Sequence, residues 1–498
     1  MTEQAGLKTG LDPESTAGNG YRQHWTYVWD TPNYWAKWTP LLLHQGYYQI
    51  RTFIPAVNAT TTNARYEVHH QGGTSVAPIN QNSLSDAWAS LGTFFLQSST
   101  GYVQLYDYTG EAKWSKQIAA DAMKFSASIV YLPEVQYSDD RLSSIVIRNT
   151  SNISAQVAIN YYNSTGGLVS YDSTTIQGNG AVVRLPPYGF SGLAVVIAGS
   201  DVVVMVRDEK GDLAEYNGIL ASGGSLGWEQ TGVTLYAPVI KYAYGGRSSR
   251  LLIANAGITG TTVSVQFYDG SGYSVGTPVS VNLATNGSDR VYPDNCTVNL
   301  CSAKIWSSNG QPLAVVVLER RDNYTDNRTI HNAFSTGATR NLVPVVKNNY
   351  GGQTTGISVQ NVSAQAANVS LICYDSLSSA TYTFTQNGLP SMATVTFYMG
   401  TAGLPNGFLG SAVVNANQSI AALIYESGDP YKLCTNADLA GSTTAYAPEI
   451  YGNYGGQAWN SGITVQNVGS GNATVTVTSL CYAKRCRFLE YYLESVVE

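Results

Sequence analysis

The segment "LVPVVKNNYGGQTTGISVQNVS" (residues 342–363) restates "YAPVIKYAYGGRSSRLLIANAG" (236–257), and "YAPEIYGNYGGQAWNSGITVQNVG" (446–469) restates both. A more divergent copy, "YLPEVQYSDDRLSSIVIRNTS", occupies residues 131–151. One proline marks the register of each copy, and the successive prolines are 105, 106 and 104 residues apart: Pro133, Pro238, Pro344 and Pro448. This period is too long for a solenoid unit of about 20–50 residues. It fits tandem, independent β-sandwiches of about 100 residues, immunoglobulin-like in size and pattern.

Each copy continues as short strands separated by turns. The first strand alternates polar and apolar residues and ends in an asparagine, at Asn149, Asn255, Asn361 and Asn467. The next strand recurs as "AQVAINYY", "TTVSVQFYD", "ANVSLICYD" and "ATVTVTSLCY". Period-two alternation predicts half-buried strands, and the Gly, Asn and Ser clusters between them predict hairpin turns. We expect each asparagine to end its strand by hydrogen bonding its own turn.

The composition indicates an all-β protein and excludes several functions. Of the 498 residues, 12% are charged, against about 25% in typical soluble proteins, and the net charge is −6. The chain is instead rich in the strand formers Val, Thr and Tyr and in the turn formers Gly, Asn and Ser. Without a basic field, a nucleic-acid partner has no electrostatic support. No apolar run approaches the roughly 18 residues that a membrane span needs.

The two ends of the chain led to expectations about its context. The first residues, "MTEQAGLKTGLDPESTAGNG", lack the basic and apolar regions of a signal peptide, although the composition is typical of exported β-proteins. The last residues, "CYAKRCRFLEYYLESVVE", depart from the repeat composition. We therefore expect a fragment of an extracellular or cell-surface protein, with a fourth repeat that is cut short or frame-altered.

The region of residues 20–128 is aromatic and does not match the repeat. It contains, in order, "YWAKWTPLLLHQGYYQIRTFIPA", "ARYEVHHQGG", "WASLGTFFL", "GYVQLYDYTGE" and "IAADAMKF". These ordered motifs resemble the golvesin C-terminal and xanthan-lyase carbohydrate-binding-like domain. The resemblance implies a jelly-roll β-sandwich of the kind that is appended to secreted multidomain enzymes or surface proteins. It also implies carbohydrate binding, which the motifs themselves do not prove.

Aromatic side chains in this region are the candidates for ligand binding. A sugar ring offers an apolar face to a flat aromatic ring and hydroxyl groups to nearby polar side chains. Trp29, Tyr34 and Trp35 lie in a less patterned entry loop around a proline, so we select them as the ligand-binding candidates. Trp38 and Trp88 lie inside the family motifs, and we expect them to be buried in the core.

We predict no catalytic residues, no metal site and no cofactor. His69 and His70 point to opposite faces of one strand, so a core or hydrogen-bonding role is expected for them. The glutamates Glu209, Glu319 and Glu426 recur in the repeats and are interpreted as structural. Ser225 and Ser274 match G-x-S-x-G, but neither has the strand-to-helix context of a nucleophile elbow.

The cysteines suggest one local disulfide. Cys296 and Cys301 are separated by four residues and could bridge a tight loop in an oxidising compartment. Cys373 and Cys434 fall in one repeat and could also pair. The remaining two, Cys481 and Cys486, lie in the anomalous tail.

These observations divide the chain into six segments: a flexible leader (1–19), the golvesin-like sandwich (20–128), repeat 1 (129–235), repeat 2 (236–341), repeat 3 (342–445) and a truncated repeat 4 (446–498). We expect a non-catalytic extracellular or cell-surface protein, with a polysaccharide-binding N-terminal domain on a stalk of sandwiches. The expected partner is a polysaccharide or a cell-surface glycan. Two alternatives stay open: a purely structural cell-envelope stalk, and the accessory C-terminal region of a secreted polysaccharide-degrading enzyme whose catalytic domain is absent from this sequence.

Overall fold

The protein is all-β, as its composition predicts. The computed structural model describes residues 2–3, 8–11, 22–97, 100–210, 212–221, 230–322, 328–376, 378–428, 432–450, 452–454, 459–478 and 495–496. Within these ranges the helical segments are a 3₁₀ turn, Gln81–Ser83, and one short helix, α1, Met399–Ala402. Neither has the length and apolarity needed to cross a membrane.

The N-terminal domain, called the head from here on, is a sandwich of antiparallel sheets. Its strands are β1 (Thr2–Glu3), β2 (Lys8–Leu11), β3 (Arg22–Tyr27), β4 (Trp35–Trp38), β5 (Gly46–Ile54), β6 (Ala64–His70), β7 (Gly73–Ile79), β8 (Ala87–Leu96), β9 (Tyr102–Tyr106), β10 (Gln117–Ala120) and β11 (Met123–Ser126). One sheet has the order β1-β4-β9-β6-β7, and the others are β10-β3-β2 and β11-β5-β8. Within the stretch expected to be a flexible leader (1–19), β2 pairs with β3 and β1 pairs with β4.

Repeat 1 forms two sheets. Its strands are β12 (Ser128–Gln136), β13 (Leu142–Asn149), β14 (Ala155–Tyr162), β15 (Leu168–Ile176), β16 (Ala181–Arg184), β17 (Ser191–Ala198), β18 (Val202–Lys210), β19 (Asp212–Asn217) and β20 (Ile219–Leu220). The sheet orders are β15-β14-β17-β12-β20 and β16-β13-β18-β19. The alternation of exposed and half-buried residues along β15 is that of a strand with one face toward solvent.

Repeats 2 and 3 follow the same plan. Repeat 2 contains β21 (Thr234–Lys241), β22 (Arg247–Asn255), β23 (Thr261–Tyr268), β24 (Ser274–Leu283), β25 (Ser288–Val291), β26 (Leu300–Ser307), β27 (Leu313–Arg321) and β28 (Arg328–Asn332). Repeat 3 contains β29 (Ala338–Asn348), β30 (Thr354–Asn361), β31 (Ala367–Asp375), β32 (Thr381–Leu389), β33 (Thr394–Tyr398), β34 (Phe408–Ser427) and β35 (Lys432–Asn436). In repeat 3 the 20-residue β34 joins the two sheets, since its first half pairs with β29 and β31 and its second half with β30 and β35.

Four short strands are described after residue 445: β36 (Gly452–Tyr454), β37 (Trp459–Asn460), β38 (Val465–Gln466) and β39 (Ser495–Val496). β36 pairs with β37, and β38 pairs in parallel with β39.

In repeats 1, 2 and 3, the recurring proline lies in a β-bulge of the first strand. The pairing register shifts between Leu132 and Val135, between Ala237 and Ile240, and between Val343 and Val346. Each interval contains the marker proline, which has no N–H to donate and is tolerated in a strand at a bulge. The proline therefore recurs because the backbone of the bulge favours it.

The recurring asparagines end their strands as predicted. Asn149, Asn255 and Asn361 are fully buried, and each amide donates to the carbonyl four residues later at 2.7–2.8 Å. Each amide also donates to a carbonyl 27–29 residues away, across the next hairpin. The side-chain oxygen accepts the N–H of the second following residue. One side chain thus joins two turns of the sandwich.

The sandwiches are not independent of one another, which corrects the sequence interpretation. Alternate residues of β22 and β27, such as Leu251 and Val317, fill the core of repeat 2. The residues between them, including Leu252 and Val316, belong to a core that is continuous with repeat 1 and the head. These strands are therefore buried on both faces.

Polar contacts reinforce the packing between repeats. Glu134 of repeat 1 is buried and pairs with Arg250 and Arg290 of repeat 2 at 3.0 and 3.2 Å. The Asn332 amide donates to the Asn217 carbonyl at 2.9 Å, and the Asn436 amide donates to the Asn332 carbonyl at 3.1 Å. One asparagine hydrogen bond thus joins repeats 1 and 2, and another joins repeats 2 and 3.

One predicted disulfide is present. Cys296 and Cys301 are bonded, with a Cα–Cα distance of 6.1 Å, so that prediction is confirmed. Cys373 and Cys434 are buried free thiols, so the suggested pairing between them is wrong. Cys373 packs in the core of repeat 3, whereas Cys434 packs in a separate apolar cluster against repeat 2. Cys481 and Cys486 lie outside the described residues.

The recurring glutamates serve the fold. Glu319 is buried and pairs with Lys241 at 2.9 Å and with Arg247 at 3.1 Å. Glu426 is buried and pairs with Lys347 at 3.1 Å. The structural role predicted for these two residues is confirmed, while the side chain of Glu209 lies outside the description. Ser274 begins the second strand of a β-hairpin, as the sequence indicates, and Ser225 also falls outside the described residues.

Candidate functional site

Aromatic side chains from two loops of the head meet at one surface. Trp29 and Tyr34 lie in the loop between β3 and β4, and Trp114 lies in the loop between β9 and β10. The Trp29 ring centroid is 4.8 Å from that of Trp114 and 6.4 Å from that of Tyr34. Lys113 Nζ lies 3.7 Å from the centroid of the Trp29 ring. We call these four residues the aromatic surface.

The aromatic surface is open to solvent at Trp114. This side chain is 55% exposed, and its backbone has a φ of +63°, a left-handed conformation that bulky residues rarely adopt. Trp29 and Tyr34 are half-buried beside it, and Lys113 is exposed. A ring that remains largely in water adds little to stability, and a bulky residue in a left-handed backbone opposes it. The fold itself therefore does not explain why this position carries tryptophan.

Asp107, at the end of β9, holds the loop that carries Trp29 and Tyr34. Its carbonyl accepts the N–H of Trp29 at 3.0 Å, and its N–H donates to the carbonyl of Tyr34 at 3.1 Å. Its carboxylate accepts the N–H of Asn33 at 2.8 Å. Asp107 is buried, and the desolvation raises the pKa of its carboxyl group. These three hydrogen bonds to Asp107 hold the backbone of the loop that carries the two aromatic rings.

Trp35 stands apart from Trp29. It begins β4 opposite Tyr106 of β9 and is half-buried. Together with His24, Tyr34 and Asp107, it lines a cavity of about 10 Å³. That volume holds about one water molecule and is far too small for a sugar ring. The structure thus brings Trp29 and Tyr34 together in the loop between β3 and β4. Trp35 follows Tyr34 and is the first residue of β4.

The two tryptophans of the family motifs differ in burial. Trp38 is 6% exposed and its indole N–H donates to the Asp121 carbonyl at 2.8 Å, so its predicted core position is confirmed. Trp88 is 38% exposed, so its predicted burial is wrong. It lies on the edge strand β8 and covers the buried ring of Phe53, at a centroid distance of 5.4 Å. An edge strand leaves the outer side of such a ring in solvent.

The adjacent histidines make hydrogen bonds, as predicted. His69 stacks on Tyr102 at 4.0 Å, and its Nδ1 lies 3.0 Å from the Thr74 hydroxyl. His70 Nε2 lies 2.9 Å from the Ser75 hydroxyl. Desolvation lowers the pKa of His69 more than the nearby carboxylate of Glu67 raises it. Among the described residues, no three His, Cys, Asp or Glu side chains are grouped to hold a metal ion.

Sequence reasoning missed Trp114 and Lys113. They occur in "GEAKWSK" (residues 110–116), a short polar segment without strand alternation. A tryptophan flanked by charged and small residues in such a segment has no strand face to occupy. That signal could have selected Trp114, but its proximity to Trp29 depends on pairing between distant strands.

Comparison with known proteins supports the similarity of the head to one family. Residues 8–127 match the Golvesin C-terminal domain family. The match includes strands β2 to β11, and the three repeats lie outside it. No curated protein matches the chain.

Among the solved structures that match this chain is a repeat region of an adhesion protein. It is titled "Crystal structure of tetra-tandem repeat in extending region of large adhesion protein" and is 10% identical to this chain. The similarity covers 79% of this chain and 99% of that chain, with a TM-score of 0.11. A score of this size carries no argument about shared architecture.

Proposed function

We propose that this chain is a non-catalytic, extracellular or cell-surface binding protein whose head binds polysaccharide through the aromatic surface. The observation that supports the proposal most strongly is the exposure of Trp114 beside Trp29 in a left-handed backbone. Two rings at an angle, with a lysine ammonium above one of them, offer apolar stacking and hydrogen-bond donors to the same ligand. Sugar rings need both kinds of contact.

The candidates selected from the sequence contribute unequally to this proposal. Trp29 and Tyr34 form the surface with Trp114, and Asp107 positions the loop that bears them. Trp35 lies next to Tyr34 on the adjoining sheet, where it would contact only a ligand long enough to leave the aromatic surface. The Cys296–Cys301 disulfide supports maturation in an oxidising compartment.

The test compares full-length variants by electrophoresis through gels that contain hydroxyethyl cellulose, xyloglucan or polygalacturonate. We expect at least one polymer to retard the wild-type chain and Trp114→Ala to lose at least about tenfold in apparent affinity, a loss typical of removing one stacking residue. The control is Trp88→Ala, which removes another exposed ring of the head that is outside the aromatic surface.

Equal retardation of Trp114→Ala and the wild type would refute this assignment of the site. If none of the three polymers retards the wild type, the purely structural alternative is favoured. The contacts that join the head to repeats 1 and 2 would suit such a role.

A further inference from the structure

The repeats expose a tyrosine in a turn that recurs with the same backbone. The turn reads Tyr-Gly-Gly at Tyr244 and at Tyr350, and these side chains are 48% and 41% exposed. The residue before each tyrosine, Ala243 or Asn349, has a φ of +51°. The two following glycines have φ values of +59° and +71° in repeat 2, and of +59° and +77° in repeat 3. The conformation is therefore copied, including a left-handed residue that is not glycine.

A second exposed tyrosine lies at the same end of each of these sandwiches. Tyr398 pairs with Gly356 at the end of β33 and is 44% exposed. Tyr292 follows β25 at the corresponding register position and is 51% exposed. In repeat 1, the loop that follows β16 contains Tyr188, which is 66% exposed. Each repeat thus has at least one exposed tyrosine near the start of its second strand, which is β13 in repeat 1, β22 in repeat 2 and β30 in repeat 3.

Stability of the fold does not account for these tyrosines. The recurring proline and asparagine are explained by a bulge and by buried hydrogen bonds, but an exposed ring fills no core. Neighbouring residues of the turn differ between copies, as Arg247 is replaced by Gln353. The ring is nevertheless retained in both turns, next to a left-handed residue that is unfavourable for Ala243 and tolerated by Asn349. This combination favours a role in contact with a ligand.

The repeats hold these turns in a regular arrangement. The Ser288 N–H donates to the Ser164 carbonyl at 3.1 Å, across the junction between repeats 1 and 2. The Thr394 N–H donates to the Gly270 carbonyl at 3.3 Å, across the junction between repeats 2 and 3. In both cases the two residues are 124 positions apart, so the junctions use the same contact. A site on one repeat is therefore presented again by the next in a similar orientation.

We propose that the tyrosine turns form an array of weak sites that binds a neutral polysaccharide chain along the repeats. The groups around Tyr350 are amides: Asn349 donates to Asn406 at 2.7 Å, and Gln353 closes the turn. Aromatic rings beside amides suit the faces and hydroxyl groups of sugars. A ligand that repeats its own unit can contact copies of one site, and the linkage multiplies weak affinities. This proposal concerns the repeats and does not depend on the aromatic surface of the head.

The isolated rings fit a polymer better than they fit a folded protein partner. A stable protein interface has a contiguous apolar centre and buries about 800 Å² on each partner. Here each tyrosine stands among glycines and polar loop residues, and in repeat 2 Arg320 pairs with Ser248 while the Asp322 N–H donates to the Gly246 carbonyl. Contacts of one ring each would be weak singly and effective only in series.

The experiment uses full-length chains in which Trp114→Ala has removed the exposed ring of the head. Electrophoresis is performed through gels with hydroxyethyl cellulose or xyloglucan. We expect at least one gel to retard the Trp114→Ala chain. Adding Tyr244→Ala and Tyr350→Ala to that chain should reduce its apparent affinity about tenfold or more, because linkage of two sites raises affinity by about 10²–10⁴-fold. The matched control is Tyr273→Ala, which removes a 74% exposed tyrosine of a hairpin outside the recurring turns.

Two outcomes would overturn the proposal. One is absence of retardation of the Trp114→Ala chain on both gels, and the other is an equal effect of the control and of the paired substitution. Tyr244→Phe with Tyr350→Phe keeps both rings, so it should retain most of the retardation. If it loses as much as the alanine pair, stacking is not the interaction. The head proposal is decided separately, by the effect of Trp114→Ala in the otherwise wild-type chain.

Discussion

Tryptophan has opposite environments at positions 38 and 114 of the head. Trp38 lies on the inner face of β4, where buried and half-buried residues alternate, and its indole N–H has a carbonyl partner. Trp114 lies in a loop with its ring largely in solvent. The same residue type therefore stabilises the fold at one position and is available to a ligand at the other.

Replacing Trp38 with alanine should destabilise the head strongly. The change removes a buried ring and leaves the Asp121 carbonyl without the indole donor. We expect a loss of about 3–5 kcal/mol in the free energy of unfolding, as for other buried tryptophans. Chemical denaturation followed by circular dichroism measures it. Trp114→Ala is the control and should change stability by less than about 0.5 kcal/mol.

A loss below 1 kcal/mol for Trp38→Ala would contradict the assignment of this residue to the core. Its burial was predicted because it lies inside a family motif, and the alternation of buried and half-buried residues along β4 agrees with that prediction. Burial of Trp88 could not be judged in the same way, because exposure there depends on β8 being an edge strand. The order of strands in a sheet is decided by long-range pairing, which local alternation does not contain.

At the level of elements, the asparagine that ends the second strand of repeats 1, 2 and 3 joins two turns by hydrogen bonds. Its partner four residues later belongs to the same turn and could be predicted from the sequence. Its partner 27–29 residues later belongs to the next hairpin and could not, because that contact requires the folded sandwich. The same limit explains the wrong pairing of Cys373 and Cys434: they share a repeat but pack in different clusters.

Asn361→Ala should cost more stability than Asn467→Ala. Asn361 is fully buried and makes bonds to Gln365, Leu389 and Ser363. Asn467 is half-buried and bonds only Gly471 and Gly469 among the described residues. We expect a loss of about 2–4 kcal/mol for the first substitution and about 1 kcal/mol for the second, because unsatisfied buried groups add a desolvation cost. Thermal unfolding of the two variants tests the difference, and equal losses would show that the contact across the hairpin contributes nothing.

At the level of the whole molecule, the repeats pack through sheet faces. A sequence signal for this packing existed: "LAVVVLE" (residues 313–319) is almost continuously apolar, as expected for a strand buried on both faces. The period of the repeat indicated separate sandwiches and gave no information on contacts between them. The proposed array of tyrosines depends on these contacts, since separate sandwiches would not hold successive sites in one orientation.

The head joins this arrangement at a buried histidine. His44 Nε2 lies 3.0 Å from the Tyr131 hydroxyl, and its Nδ1 lies 3.0 Å from the Tyr162 hydroxyl. The Tyr131 hydroxyl donates to the Ala256 carbonyl of repeat 2 at 3.2 Å, so its oxygen accepts a hydrogen bond from His44 Nε2–H. Nδ1 then accepts from Tyr162. This single network connects the head, repeat 1 and repeat 2 around a neutral imidazole.

Acid should weaken this junction through His44. Burial lowers the pKa of its imidazole to about 3, whereas the ordinary value in an unfolded chain is about 6.5. The neutral form is therefore favoured by folding: this stabilisation is complete above pH 6.5, decreases as the pH falls, and is lost by about pH 3. Each pH unit well inside that window should cost about 1 kcal/mol, so roughly 2 kcal/mol is lost between pH 6.5 and 4.5. Denaturation at several pH values compares the wild type with His44→Gln, whose amide does not titrate. We expect the His44→Gln variant to be less stable at pH 7 and less sensitive to acid.

The same pH dependence in both proteins would contradict the assignment of this pH effect to His44. Titration of the His44 ring near pH 6 in NMR spectra of the folded chain would also contradict it.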